Sequence, residues 1–408
     1  MGKRRTDGAD IATRSAAAPV DGFCDPTFTA VREAFQENFH SCNELGAALC
    51  VFVDGRKVID LWGGHQDRER TRPWQRDTLV NIYSVGKGVA TMLVLSQIEQ
   101  GLLTLDRPLR GIWPELARAG KENITLRSVL SHRAGLPGIR RPLPPEALWR
   151  WETITAALAE QAPFWEPGST HGYHVNTHGF LIGEPLVRRT GMSFGEILRT
   201  RLSARVGVDY HVGLAAHEHA RVAPIDQDAS TSVSDAGTAV REHLSSGDAA
   251  TDAMLASVYF NPLGISGSGV VNLPRWRTAM IPSTNAHATA RAVALLYDAF
   301  MHRDPARGGI VGPGLRAEAC RIHSDGTDRV LAKHSRFGLG FQLSHPGRRI
   351  GGSDSSYGHA GYGTSIGFAD PESGVAFAYL SNRPGKRFDN ARAASVMAAT
   401  YSALGRPP

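Results

Sequence analysis

Asn81-Ile82-Tyr83-Ser84-Val85-Gly86-Lys87 is the stretch whose reading decides the fold. It sits between a predicted strand and a predicted helix, Ser84 to Gly101. That helix carries Val85, Val89, Met92, Leu93 and Leu95 and stops at a glycine. Ser84 and Lys87 stand at positions i and i+3, which share one helical face. A lysine so placed can take the proton of the hydroxyl, and a serine is a weak nucleophile without such a base. Burial or a second cation would lower the lysine pKa far enough for that. Of the six lysines in the chain, only Lys87 has a serine three residues before it. The spacing alone also fits a capped helix start with a solvated lysine, since serine is a favoured cap. The apolar helix that follows argues instead for a buried lysine, which needs a reason to be there.

Outward from this stretch the chain changes character twice. A helix is predicted from Asp25 to Phe39. Strands follow at Ala47–Val53 and Lys57–Trp62, joined by Asp54-Gly55, a strong hairpin signal. Residues 106–275 read as helical and loop-rich, with a short helix at Thr125–Leu130 and further helices at 177–189 and 193–202. Residues 226–253 are polar and read as surface helix and loop. A helix is predicted from Asn285 to Phe300, capped by Ser283, Thr284 or Asn285. Strands are predicted at Gly338–Ser344, Thr364–Ala369 and Val375–Ser381, and a helix at Asn390–Leu404. The expected architecture is mixed α/β. An antiparallel sheet flanked by helices is built from residues 21–105 and 276–408, with 106–275 as an inserted, mostly helical lobe. Residues 1–20 read as a disordered tail. The active site is expected in the cleft between lobes.

Composition sets bounds on this reading. Hydrophobic residues make up 42% and charged residues 21% of 408 positions, which suits a globular chain with more than one lobe. The net charge is +6, but the basic residues are scattered rather than gathered in a stripe with aromatics. Nucleic acid is therefore not an expected partner. No run approaches the ~20 apolar residues of a membrane helix, and the first residues lack the apolar core of a secretory signal. A cytoplasmic protein with reduced cysteines is expected, though pairing of Cys24 with Cys42 stays open.

Other segments extend the pattern. Ile124-Thr125-Leu126-Arg127-Ser128-Val129-Leu130-Ser131-His132-Arg133-Ala134-Gly135-Leu136-Pro137 is one. Trp165-Glu166-Pro167-Gly168 followed by Gly172-Tyr173 is a second, and Gly358-His359-Ala360-Gly361 before the last hairpin is a third. In this order, with S-x-x-K at Ser84, they resemble the serine β-lactamase and penicillin-recognising superfamily. The branch with class C β-lactamases, family VIII carboxylesterases and D-aminopeptidases is the most similar. Gly172-Tyr173-His174 and Ile281-Pro282-Ser283-Thr284-Asn285 look most like the carboxylesterases. The resemblance implies Ser84 as nucleophile, Lys87 as base and Tyr173 as the relay to the leaving group. It implies an oxyanion hole from the N–H groups of Ser84 and Tyr362. His359 and Gly361 hold the third motif. His174, Val175, Asn285 and His287 are candidate substrate-binding residues, and 137–151 and 258–276 candidate pocket walls.

Two departures bear on the substrate. The family's Y-x-N becomes Tyr173-His174-Val175, and Val175 cannot make the amide contact of an asparagine; Asn176 comes one residue late. The third motif has His359 where β-lactamases carry the lysine that pairs with a β-lactam carboxylate. Both argue against a dedicated β-lactamase and suit an uncharged ester of small or medium acyl size, with weak β-lactam turnover at most. Transfer to an alcohol or amine, cleavage of D-residue amides, or a silent ligand-binding role are the alternatives. No cofactor and no metal are expected. His171, His174 and His178, and His217 with His219, lack a complete zinc set. Gly363-Thr364-Ser365-Ile366-Gly367 spells a nucleophile elbow, but no histidine lies downstream of Ser365. The glycines at 264–269 lack the following G-K-[ST] of a phosphate loop.

Overall fold

Alternation along the strands decides which residues meet on each face of the main sheet. The computed structural model describes residues 19–227, 246–301, 309–363, 365–385 and 391–406. The chain opens with β1 (Val20–Cys24), α1 (Thr29–Ser41) and the hairpin β2 (Gly46–Val53) and β3 (Arg56–Gly64). Asp54 and Gly55 both take positive φ, 48° and 79°, as a tight two-residue hairpin requires. β4 (Leu79–Asn81) leads into α2 (Val85–Glu99). The middle of the chain carries α3 (Leu126–Leu130), α4 (Trp151–Glu160) and α5 (Thr177–Thr190), then β5 (Tyr210–His211) and β6 (Val222–Ala223). A helix at Ala249–Tyr259 precedes β7 (His287–Ala288) and the helix Ala290–Met301. The last strands are β8 (Ser324–Thr327), β9 (His334–Phe337), β10 (Gln342–Leu343), β11 (Tyr357–Ala360), β12 (Ile366–Asp370) and β13 (Val375–Ser381). The helix Ala391–Ala403 closes the fold.

Among the described residues, nine strands form one antiparallel sheet in the order β1-β3-β2-β13-β12-β11-β10-β9-β8. The two ends of the chain meet where β13 runs along β2, from Val375 opposite Val53 to Ser381 opposite Ala47. Leu49, Val51, Phe377 and Tyr379 face α1 and the C-terminal helix, packing with Phe35, Val396 and Tyr401. Cys50, Phe52, Ala376, Ala378 and Leu380 face the other way, into the larger core that contains α2. β4 lies outside this sheet, in a small four-stranded one ordered β5-β7-β4-β6. In α2 every residue from Val85 to Gln97 is buried. A helix apolar on all sides is a core helix, and α2 lies between the main sheet and α5.

The mixed α/β architecture with an antiparallel sheet is the one expected. Several boundaries differ. Residues 1–18 lie outside the described residues, and β1 starts at Val20, paired with Gly63 of β3. Residues 228–245 of the polar stretch also lie outside them. The helix expected from Asn285 begins at Ala290, because His287 and Ala288 pair with β4 and β5. Its cap is Thr289, whose hydroxyl accepts from Ala292 N at 3.1 Å. Of Gly338–Ser344 only Gln342–Leu343 is a strand; Gly340 turns at φ 72° against Thr91 of α2, where a side chain would collide. The four cysteines are free thiols.

One buried charge cluster ties the two chain ends together. Glu44 is 2% exposed and accepts from Arg392 Nη1 at 2.6 Å, Ser381 Oγ at 2.7 Å and Tyr379 Oη at 2.7 Å. Burial pushes its pKa up and Arg392 opposes that. Glu44→Gln removes the counter-charge of Arg392 inside the protein. It should cost about 3–5 kcal/mol, read as a lower urea midpoint with an unchanged m-value.

Candidate active site

The chain turns sharply before Ser84. Tyr83 holds φ 48°, a left-handed conformation that costs a bulky residue about 1–3 kcal/mol. Its ring sits edge-on to Tyr362 with centroids 5.5 Å apart, and over Gly267, where any side chain would meet it at 3.2 Å. The strain leaves Ser84 half-buried at the first turn of α2.

Lys87 lies 0% exposed in α2. Its Nζ is 3.0 Å from Ser84 Oγ and donates to the backbone oxygen of Ser283 at 3.1 Å. The segment that supplies this carbonyl approaches closely because residue 86 is glycine. A Cβ there would stand 3.0 Å from Pro282 O and 3.1 Å from Ala286 Cβ. No carboxylate pairs with Lys87 among the described residues, and burial holds its pKa well below the usual lysine value. With the amine neutral, the Ser84 hydroxyl can donate along the same 3.0 Å line.

Tyr173 closes the other side. It is 6% exposed, its ring centroid 4.8 Å from Lys87 Nζ and stacked on Phe337 at 5.8 Å. Burial raises its pKa, while a hydrogen bond with Ser84 acts in the opposite direction. Its hydroxyl lies 3.3 Å from His359 Nε2. His359 Nδ1 is 2.9 Å from Ala360 O, which can only accept, so Nδ1 carries the proton and Nε2 accepts from Tyr173. Burial holds the pKa of His359 well below its usual value, which favours the neutral ring. β11 reaches Ser84 through Gly361, where a Cβ would stand 2.7 Å from Ile82 O. Gly361 N donates to Ser365 O at 2.7 Å and closes the bend before Tyr362. The backbone N–H groups of Ser84 and Tyr362 have no protein partner among the described residues. They are free to hold an oxyanion.

Other expected residues have other tasks. His174 is buried with both nitrogens engaged: Nδ1 at 2.7 Å from Gly172 O, Nε2 accepting from Leu136 N at 3.1 Å. Burial lowers its pKa to about 4, and its two nitrogens brace the loop after α3 against the loop that carries Tyr173. Asn285 accepts from Ile281 N and donates to Trp276 O and Ala279 O. It is a bracket for its own loop. His287 is buried in β7, its pKa lowered to about 3 by burial and Arg277. Val175 is half-buried beside Tyr173's cluster. Asn176 binds Val258 O and Ser266 Oγ, facing the 258–266 wall. Ser365 is 2% exposed and its hydroxyl accepts from Ser381 N at 3.3 Å, inside the sheet. Two further imidazoles lie behind the site. His132 stands edge-on to Tyr173 at 4.9 Å and tilted to His178 at 5.0 Å. Both are fully buried, and burial holds both pKa values well down.

Sequence reasoning missed Asp328. It is fully buried, and its two oxygens accept from Tyr173 N at 3.0 and 3.1 Å, Val330 N at 2.8 Å, Leu331 N at 2.9 Å and Ser335 Oγ at 2.9 Å. This carboxylate fixes the backbone of Tyr173 to the β8–β9 hairpin. No motif marks it, because the link exists only once residues 173 and 328 are brought together.

The beta-lactamase family profile matches residues 31–401. The chain belongs to the beta-lactamase family. It is 32% identical to the Esterase/beta-lactamase LipL of Mycobacterium tuberculosis (strain ATCC 25618 / H37Rv), over 92% of this chain and 85% of that one. A penicillin-binding protein homolog from Caulobacter crescentus superposes with a TM-score of 0.84 at 34% identity, covering 95% of this chain and all (100%) of that one. A family VIII carboxylesterase superposes at 0.83 and 32% identity, with the same coverage. Membership and the esterase relatives mark the chain as a hydrolase. No helix among the described residues is long and apolar enough to cross a membrane.

Two outcomes follow from Lys87 and Asp328. In the unfolded chain Lys87 is protonated up to its ordinary pKa, whereas burial in the fold moves that pKa well down. Folding therefore releases a proton, and its cost grows as pH falls below the ordinary value until the folded pKa is reached. Lys87→Met should melt higher than the parent near pH 7, with the gap shrinking as pH rises towards the lysine range. Thermal melts across pH test this. Asp328→Asn replaces an acceptor oxygen with an amide that faces N–H donors. It should lower stability by about 2–3 kcal/mol, measured by denaturant unfolding.

Proposed function

We propose that this protein is a serine hydrolase that cleaves small to medium acyl esters through an acyl-enzyme on Ser84. The observation that carries the reading is a fully buried lysine, without a carboxylate partner among the described residues, whose Nζ lies 3.0 Å from the Ser84 hydroxyl. Ser84 Oγ attacks the ester carbonyl, and its proton passes to Lys87 Nζ. The negative charge on the carbonyl oxygen is held by the N–H groups of Ser84 and Tyr362. As the carbon–oxygen bond breaks, Tyr173 gives its hydroxyl proton to the leaving alkoxide and recovers one from the Lys87 ammonium. Water attacks the acyl-enzyme by the same route in reverse, releasing the acid. His359 orients the Tyr173 hydroxyl and adds no charge. Nothing in this sequence of steps needs a cofactor.

The ester preference is supported by Val175 and His359, which stand where a β-lactamase carries an asparagine and a lysine. It is also supported by the esterase names among the relatives. Four free thiols suit a reducing, cytoplasmic setting.

A fluorophosphonate followed by peptide mapping tests the nucleophile. The adduct should fall on Ser84, and Ser84→Ala should remove it without loss of fold. Tyr173→Phe should lower kcat for a p-nitrophenyl ester by about 10²-fold or more. An adduct on Ser365, or none on a folded protein, would overturn the assignment.

A further inference from the structure

Tyr362, whose N–H is free to hold the oxyanion, carries a large side chain that the proposed steps leave unused. It stands in the bend between β11 and β12. Both neighbours are pinned. Gly361 N donates to Ser365 O at 2.7 Å. Gly363 turns at φ 85° and lies so close to Pro384 that a Cβ would stand 2.7 Å from its Cα. The Tyr362 backbone is thereby held from both sides.

Contacts before and after Ser84 place this bend at the nucleophile. A Cβ on Gly361 would meet Ile82 O at 2.7 Å and Val85 Cγ2 at 3.4 Å. The Tyr362 ring lies 5.5 Å from that of Tyr83, centroid to centroid, with the planes inclined by 62°. Tyr83 is 6% exposed, whereas Tyr362 is 55% exposed. Tyr83 therefore covers one side of the Tyr362 ring and leaves much of the rest open. The Tyr362 hydroxyl has no hydrogen-bond partner among the described residues.

The open ring is attached to the amide that would serve the reaction. A carbonyl oxygen received by the Tyr362 N–H sits roughly 2.9 Å from that nitrogen. The ring, one side chain away, then lies beside what the carbonyl carbon carries. An aromatic ring in that place attracts a second ring in an offset or edge-to-face arrangement, over and above the gain from apolar area.

We propose that Tyr362 is a specificity-determining residue whose ring packs against an aromatic ring of the substrate. The favoured class is then the arylalkyl ester, with its ring one or two bonds from the ester group on the acyl or the alcohol side. The inference rests on the acyl-enzyme reading of Ser84 and gives it a substrate class.

The competing role for the ring is to prop Tyr83 in its left-handed turn, which would act on every ester alike. Matched pairs separate the two roles. Ethyl phenylacetate against ethyl cyclohexylacetate places the ring on the acyl side, and benzyl acetate against cyclohexylmethyl acetate places it on the alcohol side. Acid release by titration gives kcat/KM for each ester. The quantity read is the ratio of aromatic to alicyclic ester for the parent, Tyr362→Leu and Tyr362→Phe, all of which keep the backbone N–H. In at least one pair the ratio should fall by about 3- to 10-fold in Tyr362→Leu, the scale of an aromatic pair. The pair that responds identifies the side that carries the ring. Tyr362→Phe should keep the parent ratio. Both ratios unchanged in Tyr362→Leu, whatever slowing the four esters share, would overturn the proposal and assign the ring to Tyr83. A fall in Tyr362→Phe as large as in Tyr362→Leu would overturn it in favour of the hydroxyl. A parent protein that cleaves none of the four esters would overturn the ester-hydrolase reading and this inference with it.

Discussion

A lysine buried without a carboxylate partner is the constraint on which the rest of the site depends. Withdrawing an ammonium from water without a counter-charge is far more costly than burying the neutral amine, so burial selects the amine. That condition is met only because α2 is enclosed on every side, from Val85 to Gln97. It also needs Gly86, since a side chain there would push away the segment whose Ser283 carbonyl accepts a hydrogen bond from the amine. The free energy that folding spends on keeping Lys87 neutral reappears as a base within reach of Ser84.

The sheet supplies what α2 cannot. His359 reaches Tyr173 because β11 is held between β12 and β10, with His359 opposite Gly367. Tyr173 lies on a loop, and a loop tyrosine would lose its aim without the Asp328 clamp to the β8–β9 hairpin at the far edge of the same sheet. Tyr83 adds strain where strand becomes helix, and its ring and Tyr362 support each other at the mouth. The groups of the proposed mechanism come from residues 84, 87, 173 and 359, and backbone on both sides fixes their separations.

How much of this was legible depended on the range of the interaction. Ser84 and Lys87 could be paired from sequence because i and i+3 meet within one helix turn. Asp54-Gly55 fixed the β2–β3 hairpin for the same local reason. Tyr173 and His359 were reached only through the order of motifs, since no local rule joins residues 186 positions apart. Asp328 and the Ser283 carbonyl were invisible, because their roles exist only after the sheet has set its register. His174 and Asn285 were misread in an instructive way. Their residue types suggest ligand binding, but a buried loop leaves backbone groups unpaired, and the fold uses both side chains to satisfy them. The helix expected from Asn285 failed similarly, since periodicity cannot reveal that His287 and Ala288 pair with β4.

The protonation states of the three central groups fit together. Burial lowers the pKa of Lys87 and of His359 and raises that of Tyr173, so it favours the neutral form of each. In the proposed mechanism an ammonium and an oxyanion form together when Ser84 attacks. In a low-dielectric surround that pair attracts strongly, and the N–H groups of Ser84 and Tyr362 are already in place to receive the anion.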